Sequence, residues 1–280
     1  MPVRPMETRD IDDVFHVSVA AFDDLGRRMG LPEEPPAPVA SGRIRIGRLL
    51  HTDPDGAWVV ERDGRVVGAA MALVREGVWG LSLLIVRPEA QSGGVGRELL
   101  ARAWEHGRDA RGWIVLSSGD ARALRSYARL GLDLHPALVA RGRPRSAVAA
   151  PSVRPGSADD LPLIEAVDRA VRGAAHGGDI LALLEAGGRM LVLPERGYAI
   201  MRGDELRVLA ARDEAAATDL LRTCFAEAEG IVTVEFLTSA QQWALAACLS
   251  AGLDLQPWGA VFLGGDVGSF VPYLPNGAYL

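Results

Sequence analysis

The sequence predicts a mixed α/β protein built as two tandem copies of one unit. Three observations carry that prediction. Apolar runs of strand length alternate with amphipathic stretches of helical spacing. Val3-Arg4-Pro5, followed by polar residues and an amphipathic segment, returns as Val153-Arg154-Pro155. The stretch SSGDARALRSYARLGLDLHP (117–136) also aligns without a gap to TSAQQWALAACLSAGLDLQP (238–257). Ser118, Ala123, Leu124, Gly131, Leu132, Asp133, Leu134 and Pro136 each meet the same residue there. Two repeats in the same order indicate duplication, and 280 residues can hold two ordinary cores. The copies are predicted at 1–142 and 153–280. Their connector is 143–152, where Gly, Pro, Ser and Ala collect.

In the first copy, Ile11, Val14, Phe15, Val19 and Phe22 have helical spacing, with Asp10 or Thr8 as cap. Residues 57–74 read as two strands joined at Asp63-Gly64, a hairpin dipeptide. VWGLSLLIV (78–86) is almost wholly apolar, as expected of a strand covered on both faces. A helix follows over 95–109, then a strand at 113–118, then a short helix from Ala121 to Arg129 that Gly131 stops. Trp58, Trp79, Trp104 and Trp113 are assigned to the core.

Composition excludes several functions. The chain has no lysine, which removes Walker-type phosphate loops and Schiff-base catalysis. Acids interrupt the first twenty residues, so a secretory leader is not expected and a cytoplasmic protein is. No apolar run is long enough to span a bilayer. A net charge of -6 argues against nucleic acid as a partner. Two cysteines, Cys224 and Cys248, and five histidines without common spacing predict neither a disulfide framework nor a metal site.

The chemistry is sought in VRPEAQSGGVGREL (86–99), where a strand gives way to three glycines and then a helix. First-turn N–H groups lack helical partners, and glycines allow a bulky anion to approach them, so a diphosphate fits. The dinucleotide fingerprint does not: Arg87 to Gln91 intervene after the strand, and Leu99 holds the place of its third glycine. Leu84-Ile85-Val86-Arg87-Pro88 followed by Gln91-Ser92-Gly93-Gly94-Val95-Gly96 instead resembles the cofactor motif of the GNAT superfamily of N-acetyltransferases. Asp120, Ala123, Tyr127, Gly131 and Leu132 match that superfamily's second motif, with Asp120 where Asn is usual.

The resemblance implies two GNAT-like units, each a mostly antiparallel mixed sheet flanked by helices. It implies acetyl-CoA as co-substrate, without a metal, and a small-molecule or peptide amine as acceptor. By position, Gln91, Ser92, Gly93, Gly94, Val95, Gly96 and Arg97 would cradle the pyrophosphate, and Leu84, Ile85 and Val86 would offer backbone groups to the pantetheine and thioester. Asp120 stands at a weakened pantetheine contact. Tyr127 would protonate the departing thiolate as general acid. A non-enzymatic acyl-CoA sensor is the alternative, because the strand at 78–86 carries no acid to serve as base. Glu76 in the preceding turn, or water, is left for that role. A homodimer stays open.

In the second copy, ungapped projection of the loop sets Asp213 and Glu214 against Ser92 and Gly93, and Cys248 against Tyr127, so its chemistry is predicted to be lost. QPWGAVFLGG (256–265) is expected to dock on the first copy. Two readings stand for the tail VPYLPNGAYL (271–280). Either it brings the Leu280 carboxylate near Tyr127 as the missing base, as some tandem relatives do, or Tyr273 and Tyr279 seal the second copy's sheet or an oligomer contact.

Overall fold

A computed structural model describes residues 2–30, 39–145 and 147–280. The first copy runs β1 (Val3–Pro5), α1 (Ile11–Met29), α2 (Val39–Thr52), β2 (Ala57–Arg62), β3 (Arg65–Arg75) and β4 (Val78–Val86). It continues with α3 (Val95–Glu105), β5 (Gly112–Ser118), α4 (Ala121–Ala128) and β6 (Asp133–Gly142). The second copy repeats the order: β7 (Arg154–Pro155), α5 (Leu161–Val171), α6 (Asp179–Glu185), β8 (Arg189–Leu193), β9 (Gly197–Arg202), β10 (Glu205–Ala211), α7 (Glu214–Ala226), β11 (Val232–Leu237), α8 (Gln242–Ser250) and β12 (Asp254–Gly265). A short β13 (Tyr273–Leu274) follows and pairs with β10.

Local chemistry explains most boundaries. Asp63 and Gly64 both take positive φ, 51° and 74°, as a tight hairpin between β2 and β3 requires. α1 runs past the predicted Phe22 to Met29, supported by the Asp24–Arg28 ion pair one turn apart, and ends at Gly30 in the left-handed conformation. α3 stops at Glu105, short of the predicted 109.

The sheet is mixed and mostly antiparallel, with β4–β5 and β10–β11 as its parallel pairs. Its order is β1-β2-β3-β4-β5-β12-β6-β11-β10-β9-β8-β7. The copies therefore exchange their last strands. β12 pairs with β5 from Gly259↔Ser118 to Gly265↔Gly112, while β6 pairs with β11. The exchange is chemically cheap because both strands open on the same Gly-Leu-Asp-Leu sequence, at 131–134 and 252–255. Ala260 and Phe262 of β12 thus sit in the α3-side core of the first copy, as the expected docking of 256–265 requires. Ala140 of β6 sits in the core of the second.

The other seam between the copies is ionic. Asp179, fully buried at the start of α6, accepts from Arg48 on α2 and Arg75 on β3, each at 2.6 Å. Arg75 also bonds Asp53 at 2.8 Å. Burial alone would raise the Asp53 carboxyl. Hydrogen bonds from His106, Thr52 and the Val74 N–H, with the Arg75 charge, outweigh it and hold it at about 2.

Candidate acyl-CoA site

Strand β4 carries a bulge. Met71 faces Leu83 and Ala72 faces Leu81, so Ser82 is the extra residue. Pairing between β4 and β5 also ends there, since its last rung is Leu81↔Val115. Beyond it, β4 stays with β3 and β5 stays with β12, so the two parallel strands diverge. Leu84, Ile85 and Val86 occupy the diverging end of β4 and expose their backbone edge toward the gap.

Eight residues, 87–94, join β4 to α3. Ser92 and Gly94 take positive φ, 65° and 85°, and Gly94 is the N-cap of α3. No side chain caps that helix, so its first-turn N–H groups and its positive dipole end are offered outward. A Cβ at Gly96 would come no closer than 3.6 Å to Val86, and one at Gly93 no closer than 3.8 Å to the Ala90 carbonyl. Packing within the chain therefore does not demand glycine at either position. The cleared space fits an approaching ligand. Val95 is buried and anchors the helix, whereas Ser92 and Arg97 are exposed.

Gln91 shapes the loop. Its amide donates to the Val86 carbonyl at 3.0 Å, and its side-chain oxygen accepts from Arg122 at 2.8 Å. Arg122 also pairs with Asp120 at 2.6 Å, which links the loop to the start of α4. Asp120 is the N-cap of α4, accepts from the Arg122 N–H, and makes a second ion pair with Arg28 on α1 at 3.0 Å. These contacts hold its carboxyl well below the usual range and engage both of its oxygens.

Tyr127 lies two turns along α4, buried, with its ring edge-on to Phe262 of the exchanged strand at 5.6 Å between centroids. Burial, with the charge of Asp120 adding to it, raises its phenol well above the ordinary value, so it stays protonated. The sequence placed 256–265 on the first copy but not Phe262 against Tyr127, because only the strand exchange brings the two rings together.

The proposed bases lie elsewhere. Glu76 sits at the far end of β4 from the divergence. There it pairs with Arg169 of α5 at 2.7 Å and accepts from the Ala175 N–H. Hydrogen bonds from Arg169 and Ala175 lower its pKa, so Glu76 is an inter-copy tie. Leu280 does reach the first copy: a Cβ at Gly80 would clash with its side chain. Its main-chain oxygen, however, accepts from Arg172 Nε at 2.6 Å, Tyr273 OH at 2.9 Å and His176 Nε2 at 3.0 Å. His176 is braced in turn by Asp168 at 2.7 Å, and Tyr198 donates to the same carboxylate at 2.6 Å. Leu280 packs with Val78, Leu83 and Ile85, whereas Tyr127 packs with Trp79 and Leu81, so the two lie on opposite faces of the sheet. Leu280 is thereby an anchor in a buried network, and the structure does not bring it to Tyr127. The tail packs as the second reading expects at Tyr273, which pairs it to β10 of the second copy.

The second copy differs at each of these points. Two residues, Arg212 and Asp213, join β10 to α7, so the ungapped projection fails: the loop itself is missing. Asp213 caps α7 by accepting from the Ala216 N–H at 2.9 Å and pairs with Arg196 at 2.5 Å. Cys248, in the place of Tyr127, is buried, and burial pushes its thiol up to about 12. Among the described residues no group of three or more His, Cys, Asp or Glu could hold a metal, and no helix is long and apolar enough to cross a membrane.

Comparison with known proteins agrees with this geometry. The sequence model of the Acetyltransferase (GNAT) family matches residues 21–132. A mycothiol acetyltransferase of Streptomyces avermitilis is 34% identical over 89 residues, 30% of this chain and 29% of that protein, so the match spans under a third of the relative's length. Among solved structures, a protein of Pyrococcus horikoshii named as an acetyltransferase superposes with TM-score 0.78 at 17% identity, covering 99% of this chain and 94% of that one. A tandem GNAT protein from the clavulanic acid biosynthesis pathway gives 0.59 at 14% identity, covering 94% and 98%.

Proposed function

We propose that the first copy, whose residues 21–132 match the model of the Acetyltransferase (GNAT) family, transfers an acetyl group from acetyl-CoA to an amine. The uncapped α3 N-terminus behind a glycine loop with unneeded Cβ space carries this reading. Backbone N–H groups of Ser92 to Arg97 bind the pyrophosphate. The diverging edge at Leu84, Ile85 and Val86 holds the pantetheine and offers N–H donors to the developing carbonyl charge. Acetyl-CoA supplies the activated thioester. Tyr127 holds a proton at its phenol oxygen and gives it to the leaving sulfur. Asp120 keeps α4 and hence Tyr127 in place. Its oxygens are engaged by Arg28 and Arg122, so its contribution is positioning. The acceptor nitrogen loses its proton to water, because Glu76 is committed to Arg169 and the Leu280 oxygen to Arg172, His176 and Tyr273.

The sensor reading keeps the same binding site and removes the chemistry. Incubating the protein with acetyl-CoA and a panel of amines, and measuring free CoA together with acetylated product, separates the two. Product formed at a rate dependent on protein supports acetyl transfer. Tight acetyl-CoA binding with no product from any amine supports the sensor.

A further inference from the structure

Resting on the acetyltransferase reading, we propose that the amine acceptor carries an anionic oxygen group, received by the guanidinium groups of Arg45 and Arg207 beside the β4 bulge. The duplication has a second bulge at the corresponding place. Leu206 faces Met201 and Val208 faces Ile200, so Arg207 is the extra residue of β10 as Ser82 is of β4. The segment 276–280 runs between the two bulges. Asn276 Nδ2 donates to the Arg207 carbonyl at 2.9 Å, and Ser82 Oγ donates to the Ala278 carbonyl at 2.5 Å. Arg45 reaches in from α2, donating to Ser82 Oγ at 2.9 and 3.2 Å, to the Ser82 carbonyl, and to the Gly277 carbonyl at 3.3 Å.

All of these Arg45 partners are neutral. Among the described residues, no carboxylate makes an ion pair with it. Arg48, Arg75 and Arg4, also turned inward, are each met by aspartate. Burial lowers Arg45 to about 10; the nearby Tyr279 phenol opposes that shift, and the charge of Arg207 adds to it by repulsion. Arg207 has one carboxylate, Glu205 at 2.8 Å, which it shares with Arg202 at 3.0 Å. Its Nε is buried without a hydrogen-bond partner among the described residues. Two guanidiniums that repel each other, with half a counter-charge between them, are expensive to bury unless an anion arrives. A carboxylate or phosphate suits the planar donor fork. The position is specific as well, because Ser82 follows the last rung shared by β4 and β5, at the mouth of the gap proposed for the thioester.

The test uses acceptor pairs that differ only in the acid: α- and ω-amino acids against their carboxamides, and aminoalkyl phosphates against the matching amino alcohols. The measured quantity is the ratio of kcat/KM for the acidic member to that for the neutral one. The proposal expects a ratio of at least about tenfold in at least one pair, the discrimination a charged contact provides. That ratio should fall toward unity in Arg45→Gln and in Arg207→Gln, and be partly retained in Arg45→Lys. Thermal melts identify any variant that fails to fold, and the independent Arg207→Gln change then carries the comparison. Neutral members turned over as well as acids, or a preference that survives both substitutions, overturns the proposal. Absence of acetyl-CoA binding overturns the acetyltransferase reading instead, which calorimetry on the same samples detects.

Discussion

The N-termini of α3 and α7 occupy equivalent places in the two copies and solve the same electrostatic problem in opposite ways. Each helix begins with unpaired N–H groups and a positive dipole end. At α7 the chain supplies its own anion: Asp213 caps the helix and Arg196 holds it there, across a connection of two residues. At α3 eight residues intervene, none caps the helix, and glycine keeps the approach clear. A helix start that satisfies itself is structural, and one left open is available to a ligand. Cys248 against Tyr127 repeats the contrast one motif later, a buried inert thiol facing a buried protonated phenol.

The largest expected effect falls on Tyr127. Tyr127→Phe should lower turnover by about 10²- to 10⁴-fold, the usual contribution of a general acid, while acetyl-CoA affinity changes little. Steady-state kinetics with calorimetry on the same variant decide this, and unchanged turnover would assign the proton to water. Next comes the seam that keeps the unequal copies together. Asp179→Asn removes the counter-charge of Arg48 and Arg75 and should cost about 3–5 kcal/mol, as breaking a buried pair does. Denaturant titration measures it. The neighbouring Asp53 gives this seam a pH dependence. Its folded pKa is depressed to about 2, so its stabilisation is full above the unfolded carboxylate range of about 4 and is lost as pH falls through 2.

Gly96→Ala should weaken CoA binding about tenfold or more by filling the ligand's space. The same change should leave stability equal or higher, because alanine is the better helix former by up to about 1 kcal/mol. Ala215→Gly in α7 should not create a CoA site. The smallest effect is Asp213→Ala, which should cost about 0.5–2 kcal/mol through the lost cap. That contribution is present above about pH 4 and fades as pH falls through the lowered pKa, since Arg196 and the helix N–H groups depress it. CoA binding in that variant should stay at one site.

Much of the first copy was legible because its signals are local. The strand at 78–86, the glycine loop and the helix bearing Tyr127 follow from apolar runs, turn residues and spacing. The strand exchange was not legible, since Gly131–Leu134 and Gly252–Leu255 are the same sequence and either strand suits either sheet. α2 escaped notice because Arg43, Arg45, Gly47 and Arg48 break its apolar periodicity. His176 stands in a glycine-rich loop with no motif, and only folding carries it to Asp168 and Leu280. Arg45, Ser82 and Arg207 share that property: a bulge and a buried charge have no sequence period. The loop projection failed for a simpler reason, that a deletion cannot be seen by sliding one copy along the other without gaps.

Calorimetric titration of the intact chain with acetyl-CoA tests the asymmetry between α3 and α7 most directly. One site per chain is predicted, weakened by Gly96→Ala and indifferent to Asp213→Ala. Two equivalent sites, or a single site that survives Gly96→Ala and disappears with Asp213→Ala, would contradict it.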